Sequence, residues 1–476
     1  MSTALSINTT VRLIVALCLV LMVTIPSCKL ERMEGGDYID PADKSILAFT
    51  VRKPDSTPFS SSEVKSVIGG DTITISVPVK TSLDNLIPDI TIRAKSISPA
   101  SAEPQNFTSP VNYTVRAEDG STKTYTVVVK SAALRSMVFA GSNNKYFYAV
   151  DAVNGSLIWK FNANKNFCYS NPILYNDIVY AAADNTMYAF DAASGAVKWS
   201  YNAGDKIKTA AAYDNGIVYF GSYDHHFVGL DAKTGSIKLN VTEPDEINTT
   251  ATVVNGNAYF SSVNGNVYVV DVHLGTSKKI FKTGGAVFGS SPTVVNSTLY
   301  IGSDDSNIYA INAANGQLKW KFDTEGISAG YTHPAVANNV AYFGTAQSLT
   351  GDDAVLGSLY AVDANTGAML WKKLDHKGFY SSPTITGNTL FTTCFDGNIY
   401  ALNAKTGETQ WKSLIFPNSN TMPTVAEGIV YVGGGTGNLY AMDAATGTVK
   451  WKFPMPENTF TSAPCVIGNS GTIYSR

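Results

Sequence analysis

The chain has 476 residues, of which 15% are charged, and a formal net charge of -3. That length exceeds what one core usually fills, and the charge content lies below the roughly one quarter typical of soluble proteins. No long Lys/Arg run occurs, which argues against nucleic acid as a partner, and the five scattered Cys form neither a disulfide framework nor a paired zinc motif.

Residues 1–28 read as a secretory signal. Arg12 supplies the positive charge, Leu13 to Val23 the apolar run, and Ser27 the small residue before Cys28. The run is shorter than the ~20 apolar residues of a spanning helix. Ile25-Pro26-Ser27-Cys28 resembles a bacterial lipobox, which implies cleavage before Cys28 and acylation of that residue; a plain signal peptide is the alternative. Residues 29–44 are charged and lack apolar periodicity, as a flexible tether would. By resemblance to lipoprotein sorting signals, Lys29 implies the outer membrane. Glu31 and Glu34 resemble, loosely, a cue for surface export, so a periplasmic and a cell-surface orientation both stay open.

Residues 45–132 alternate β-branched and polar residues in five segments: 46–51, 72–77, 90–92, 113–116 and 124–129. Asp119-Gly120 between the last two is a hairpin turn, because Gly accepts positive φ. The pattern predicts a small antiparallel sandwich. The stretch 113–129 resembles the closing hairpin of an immunoglobulin-like module of the kind found near the N-termini of surface lipoproteins, which implies a spacer role.

From residue 135 to 476 the sequence repeats. An Asp or Asn is followed four positions later by Gly at 151/155, 191/195, 231/235, 271/275, 312/316, 363/367, 403/407 and 443/447. The period is close to 40 residues, apart from one copy carrying an insertion at 346–357. Within one copy, 290–295, 299–302, 308–311 and 318–322 have strand composition with Asx/Gly turns between them, and four strands per period is the pattern of a propeller blade. Tyr stands three residues before the marker in seven copies, and Trp eight residues after it in six. Leu239 and Lys279 occupy the Trp position in the third and fourth copies. A large aromatic at a fixed position packs blade against blade. These repeats, with Leu359-Tyr-Ala-Val-Asp-Ala-Asn-Thr-Gly-Ala-Met-Leu-Trp371 as an example, resemble the PQQ-like, tryptophan-docked β-propeller family. The predicted fold is therefore all-β: an eight-bladed β-propeller preceded by a small immunoglobulin-like β-sandwich. Its last strand, near 462–467, is expected to complete the first blade.

Catalytic signals are sparse. Quinoprotein dehydrogenases that resemble this fold carry two adjacent Cys and long additional loops, and neither is present in this sequence. No HExxH or GxSxG occurs, and the Gly-rich run 433–437 sits between strands rather than at the start of a phosphate-binding helix. His225 and His226 are adjacent, so strand geometry sends them to opposite faces. No catalytic residue, metal ligand or cofactor is assigned. The candidate binding face is instead aromatic: Phe167, Tyr169, Phe288, Tyr331, Phe379, Tyr380 and Phe460 recur where the chain enters the first strand of a blade. They are expected at the mouth of the central channel, stacking sugars, clasping a partner peptide or simply plugging the opening. The leading expectation is a non-catalytic envelope lipoprotein using the propeller as a protein-binding scaffold, similar to the lipid-anchored BamB-type propellers of outer-membrane protein assembly. The alternative is a surface lipoprotein binding carbohydrate or another ligand; a quinone-dependent dehydrogenase is the remote third.

Overall fold

A computed structural model describes residues 40–59, 64–78, 81–131, 136–167, 170–348, 355–375, 377–415, 421–434, 437–456, 462–467 and 473–474. Cys28, the signal region, most of the tether, Tyr169 and Phe460 lie outside the described residues. The chain divides into two compact units, Met1–Ala133 and Leu134–Arg476.

The first unit is a two-sheet sandwich. Ser45–Arg52 pairs with Ile87–Arg93 in one sheet, and five strands form the other. Alternation buries one face of each strand, so Phe49, Val51, Ile73, Ile75, Tyr113, Val115, Val127 and Val129 meet in one core. The 113–129 stretch forms the hairpin read from its turn, with Gly120 at φ 85°. The wholly antiparallel expectation needs correction: Thr72–Val77 runs parallel to Thr122–Ser131. Two strands, Lys65–Gly69 and Ser96–Ser98, escaped the sequence reading. Lys65–Gly69 has every residue exposed and lacks the buried alternation that marks a strand.

The second unit is a ring of eight sheets. Blade 5 shows the plan: inner strand Thr293–Val295, then Thr298–Ser303, Asn307–Asn312 and outer strand Leu318–Asp323, each antiparallel to the next. The second and third strands are buried on both faces, whereas the outer strands alternate. The ring closes through hydrogen bonding between the start and the end of the repeat region. Cys465–Ile467 pairs with Met137–Gly141, so the C-terminal segment supplies the inner strand of blade 1.

The repeat markers form the turn their chemistry demands. Asp363 Oδ1 accepts from the Asn365 and Thr366 amides, and the Gly367 amide, at φ 75°, donates to the Asp363 carbonyl. That turn is also the docking platform for the preceding blade. Trp320 lies over Gly367 and donates its Nε1–H to the Ala364 carbonyl at 3.0 Å. A side chain on Gly367 would come 2.8 Å from the indole, so the glycine is required twice, for φ and for space. The same donation joins Trp159 to Ala192, Trp199 to Ala232, Trp371 to Ala404, Trp411 to Ala444 and, across the closure, Trp451 to Ala152.

Joints 3/4 and 4/5 are built differently. Leu239 keeps the docking register, opposite Gly229, and fills its joint with an aliphatic side chain. In blade 4 the β-bulge moves: Lys279 pairs with Tyr268 and the register shift falls between Val267 and Tyr268. Lys279 is exposed, and Ile280 enters the joint core with Val287, Leu299 and Ile311. Lys279 therefore corresponds to the tryptophans in sequence spacing but not in space.

Candidate functional site

The inner strands wall a central channel, and the way the chain enters them builds its mouth. Each entry holds a Ser or Thr two residues before a Pro or Ala: Ser170, Thr209, Thr249, Ser290, Thr332, Ser381, Thr421 and Ser462, all buried. These hydroxyls stitch the entry to the second strand of a blade. Thr332 donates to the Gly344 carbonyl at 2.6 Å, and Ser381 accepts from the Thr393 amide at 2.8 Å. The sequence reading missed this position, although its spacing from the marker was available.

The next residue faces the channel and binds the neighbouring blade. Thr250 Oγ1 accepts the Ala210 amide, Ser291 Oγ the Thr250 amide, and Ser382 Oγ the His333 amide. One turn deeper, Thr252, Thr293, Thr384 and Thr424 each donate to the carbonyl of the proline in the following blade. The channel consists of cavities of about 830, 580 and 450 Å³, all bordered by Met422. At the far ends of their inner strands, Tyr175 and Tyr213 stack with ring centroids 3.6 Å apart.

The candidate aromatics divide into two groups. Phe288 is 42% and Tyr331 41% exposed; their rings stack at 5.8 Å, with Tyr380 5.5 Å beyond Tyr331. Phe395, from the turn between the second and third strands of blade 7, meets Tyr380 edge-on at 4.6 Å. These four rings make one arc over blades 5 to 7, and Phe395 was absent from the sequence-derived set. Phe167 and Phe379 do not belong to it. Both are fully buried, Phe167 against Phe147 and Phe379 against Tyr400. The cause is register: they occupy the place of Ile207, Ile247 and Val287, which is apolar core in those blades. Gly141 and Gly344 on second strands leave room for them.

Next to the Phe288 end of the arc the mouth holds Asn248 and then Lys208, with Nζ 4.8 Å from the Tyr223 ring. Asn248 is 6% exposed; its Nδ2 donates to the Phe288 carbonyl at 2.7 Å, and its Oδ1 has no donor. Burial, with Asp304 nearby, pushes the Tyr331 phenol up, and burial with Tyr331 and Asp304 does the same to Tyr380. Both phenols therefore stay neutral hydroxyls at physiological pH. The inserted segment of blade 6 begins beside this arc. The Ala346 amide donates to the Ser328 carbonyl, and Gln347–Ser348 pairs with Leu356 and Val355, while 349–354 lie outside the described residues.

His225 and His226 find separate partners: His225 Nδ1 lies 3.0 Å from the Pro244 carbonyl, and His226 Nδ1 2.8 Å from Asn240 Oδ1. Among the described residues no group of three or more His, Cys, Asp or Glu is placed to hold a metal ion.

Residues 124–322, 277–374 and 355–474 match the model of a family described as Outer membrane protein assembly factor BamB. The chain belongs to that family. Residues 57–129 match a second model, described as SGBP, N-terminal. Among solved structures, BamB from Moraxella catarrhalis is similar at 16% identity and TM-score 0.51, over 65% of this chain and 96% of that one. The computationally designed Ika8 protein is similar at 17% identity and TM-score 0.52, over 64% and 94%. At such identities these likenesses show the propeller fold alone. No curated protein matches the chain.

Proposed function

We propose that the protein is a non-catalytic lipoprotein of the outer membrane, anchored through Cys28, whose propeller holds an envelope protein at the channel mouth, with a role in outer-membrane protein assembly. Membership of the BamB family over most of the repeat region supports the scaffold role. The observation that carries the mouth as the holding surface is the exposed Phe288–Tyr331 pair, backed by half-buried Tyr380, since large aromatic rings left in water commonly mark a binding surface. No step of chemistry is assigned to it. The 45–132 module serves as spacer, and residues 29–44 as tether.

The test is capture from solubilised envelopes with the full chain as bait. An outer-membrane barrel insertase should be recovered by wild type and lost with Tyr331→Ala. Equal recovery by both would move the holding surface elsewhere, and recovery of no envelope protein would end the assembly reading.

A second reading is favoured by one observation. The match of residues 57–129 to an SGBP N-terminal module gives the chain a glycan-related context, in which the protein faces the cell exterior and binds carbohydrate. Protease treatment of intact cells separates the two orientations: a surface binder is digested, a periplasmic assembly factor is spared.

A further inference from the structure

We infer that the channel-facing edge of blade 1 is a docking site for an extended strand of a partner protein, and that residues 473–474 of the chain itself occupy it until the partner displaces them. The inference concerns the channel wall and does not depend on the aromatic arc at the mouth.

Blade 1 has one strand more than the repeat supplies. Inside its inner strand Cys465–Ile467 lies Ile473–Tyr474, antiparallel, with Val466 opposite Tyr474 and Ile467 opposite Ile473. In the other seven blades, among the described residues, the inner strand is the last of its sheet on the channel side. Burial follows this difference. Cys465–Ile467 is buried at every residue, whereas Ala212–Asp214, Thr252–Val254 and Thr293–Val295 are half-buried throughout. The added strand also approaches Thr424–Ala426, the inner strand of blade 8.

The edge that it covers is a main-chain surface. Val466 packs into joint 8/1 with Ala426 and Trp451, while Cys465 and Ile467 pack into joint 1/2 with Leu174. With its side chains committed to the two joints, the strand turns one row of backbone groups to the second strand of its blade and the other row to the channel. An unpaired row of that kind is a template for strand addition. Recognition through main-chain bonds tolerates many sequences, and the pockets beside the edge select among side chains. The adjoining cavity of about 830 Å³ reaches this strand at Ala463 and Pro464 and is walled by small or apolar groups such as Val336, Ile385 and Val425. Among the described residues, Glu427 is the one ionisable side chain on that wall. The partner strand that fits is therefore neutral, with small or β-branched side chains.

The resident strand is displaceable. Cys465–Ile467 closes the ring through three pairs with Met137–Gly141, so closure does not need residues 473–474. These make two pairs only, and a segment held by so few bonds opens at little cost in free energy. Covalent attachment is what keeps it in place, since a short linker gives an effective concentration of about millimolar at the edge. A partner strand competes against that concentration, so the resident strand sets the threshold at which the channel is occupied.

Fluorescence anisotropy with a labelled, end-capped Gly-Ser-Thr-Val-Thr-Val-Ser-Gly peptide tests the assignment on three proteins: wild type, a variant lacking residues 468–476, and a full-length variant carrying Ile473→Pro and Tyr474→Pro, which has lost both main-chain donors. Each variant should bind the peptide about tenfold or more tightly than wild type, with thermal unfolding unchanged. The same peptide with both Val replaced by Pro should bind none of the three. Tyr331→Ala should bind as wild type does. The proline variant keeps the full length and decides the matter if the shortened chain does not fold. Equal affinity for wild type and both variants would show that residues 473–474 do not cover the site. Absence of binding by the folded variants would show that the edge accepts no strand, and binding abolished by Tyr331→Ala would move the peptide to the mouth. Each of these three results overturns the inference.

Discussion

Six of the eight blade joints are closed by an indole and two are not, and the two lie side by side around blade 4. At joint 5/6 the Trp320 ring fills the space over Gly367 and its N–H satisfies Ala364, so packing and hydrogen bonding come from one side chain. At joint 3/4 Leu239 supplies packing alone, and a polar contact is added: Glu243, only 6% exposed, accepts from Ser277 of the next blade. At joint 4/5 the displaced bulge brings the Ile280 backbone to Gly316. A fixed motif is therefore one solution to joining blades; what each joint must achieve is the exclusion of water and the pairing of buried polar groups. Blade 4 meets both needs by separate means.

Substitution at the two kinds of joint should separate them. Trp320→Ala removes a buried indole and the donor to Ala364, and should cost about 3–5 kcal/mol. Lys279→Ala, its counterpart by sequence spacing, should change stability by less than about 0.5 kcal/mol because the side chain is exposed. Urea unfolding followed by tryptophan fluorescence reports the ring directly, since all six Trp lie between residues 159 and 451. Equal losses would mean that the indole is not what holds its joint. The next largest contrast is between glycines. Gly367→Ala meets both a positive φ and an indole 2.8 Å away, and should cost about 2–4 kcal/mol. Gly275→Ala, at φ 67° with only Leu239 Cδ1 3.3 Å away, should cost about 1–2 kcal/mol.

The same contrast explains how much could be read from the residues. Period, turn and aromatic position revealed blade number, the Asx–Gly turn and the strand that closes the ring, because each is dictated locally by φ, Asx bonding or ring size. Three things were missed. The bulge in blade 4 depends on pairing between strands, so Lys279 looked like a Trp substitute while Ile280 did the packing. Phe167 and Phe379 shared residue type with the exposed arc but register with Ile207 and Ile247; comparing the blades position by position, instead of gathering aromatics, would have placed them in the core. Asn248 carried no signal, since its unpaired Oδ1 arises from three-dimensional burial.

Joint 3/4 should also respond to pH. Burial raises the Glu243 carboxyl above its ordinary range, and neighbouring Asp245 adds to this against the opposing bond from Ser277. The folded state thus holds this proton more tightly than the unfolded chain. Its contribution is fully present below the ordinary glutamate pKa and is lost as pH rises through the raised folded value. Glu243→Gln, neutral at every pH, should raise Tm modestly at pH 7 relative to wild type, with the gap closing near pH 4. A gap that stays constant with pH would show that ionisation of Glu243 has no part in the stability of this joint.

The smallest effect is expected where the motif is restored in sequence but not in space. Lys279→Trp recreates the eight-residue spacing, yet position 279 lies opposite Tyr268 on the exposed side of its strand. The new indole has no route to the joint while the Ile280 backbone occupies the space beside Gly316. Stability should change by less than about 0.5 kcal/mol, and the added fluorescence should be that of a solvent-exposed indole. A gain of about 1 kcal/mol or more, with blue-shifted emission, would show that the strand can slide its bulge back and that the spacing dictates the register after all. A null result would place the register in the pairing of Phe281 with Val267 and the burial of Ile280, which together hold the bulge where the sequence repeat alone would not put it.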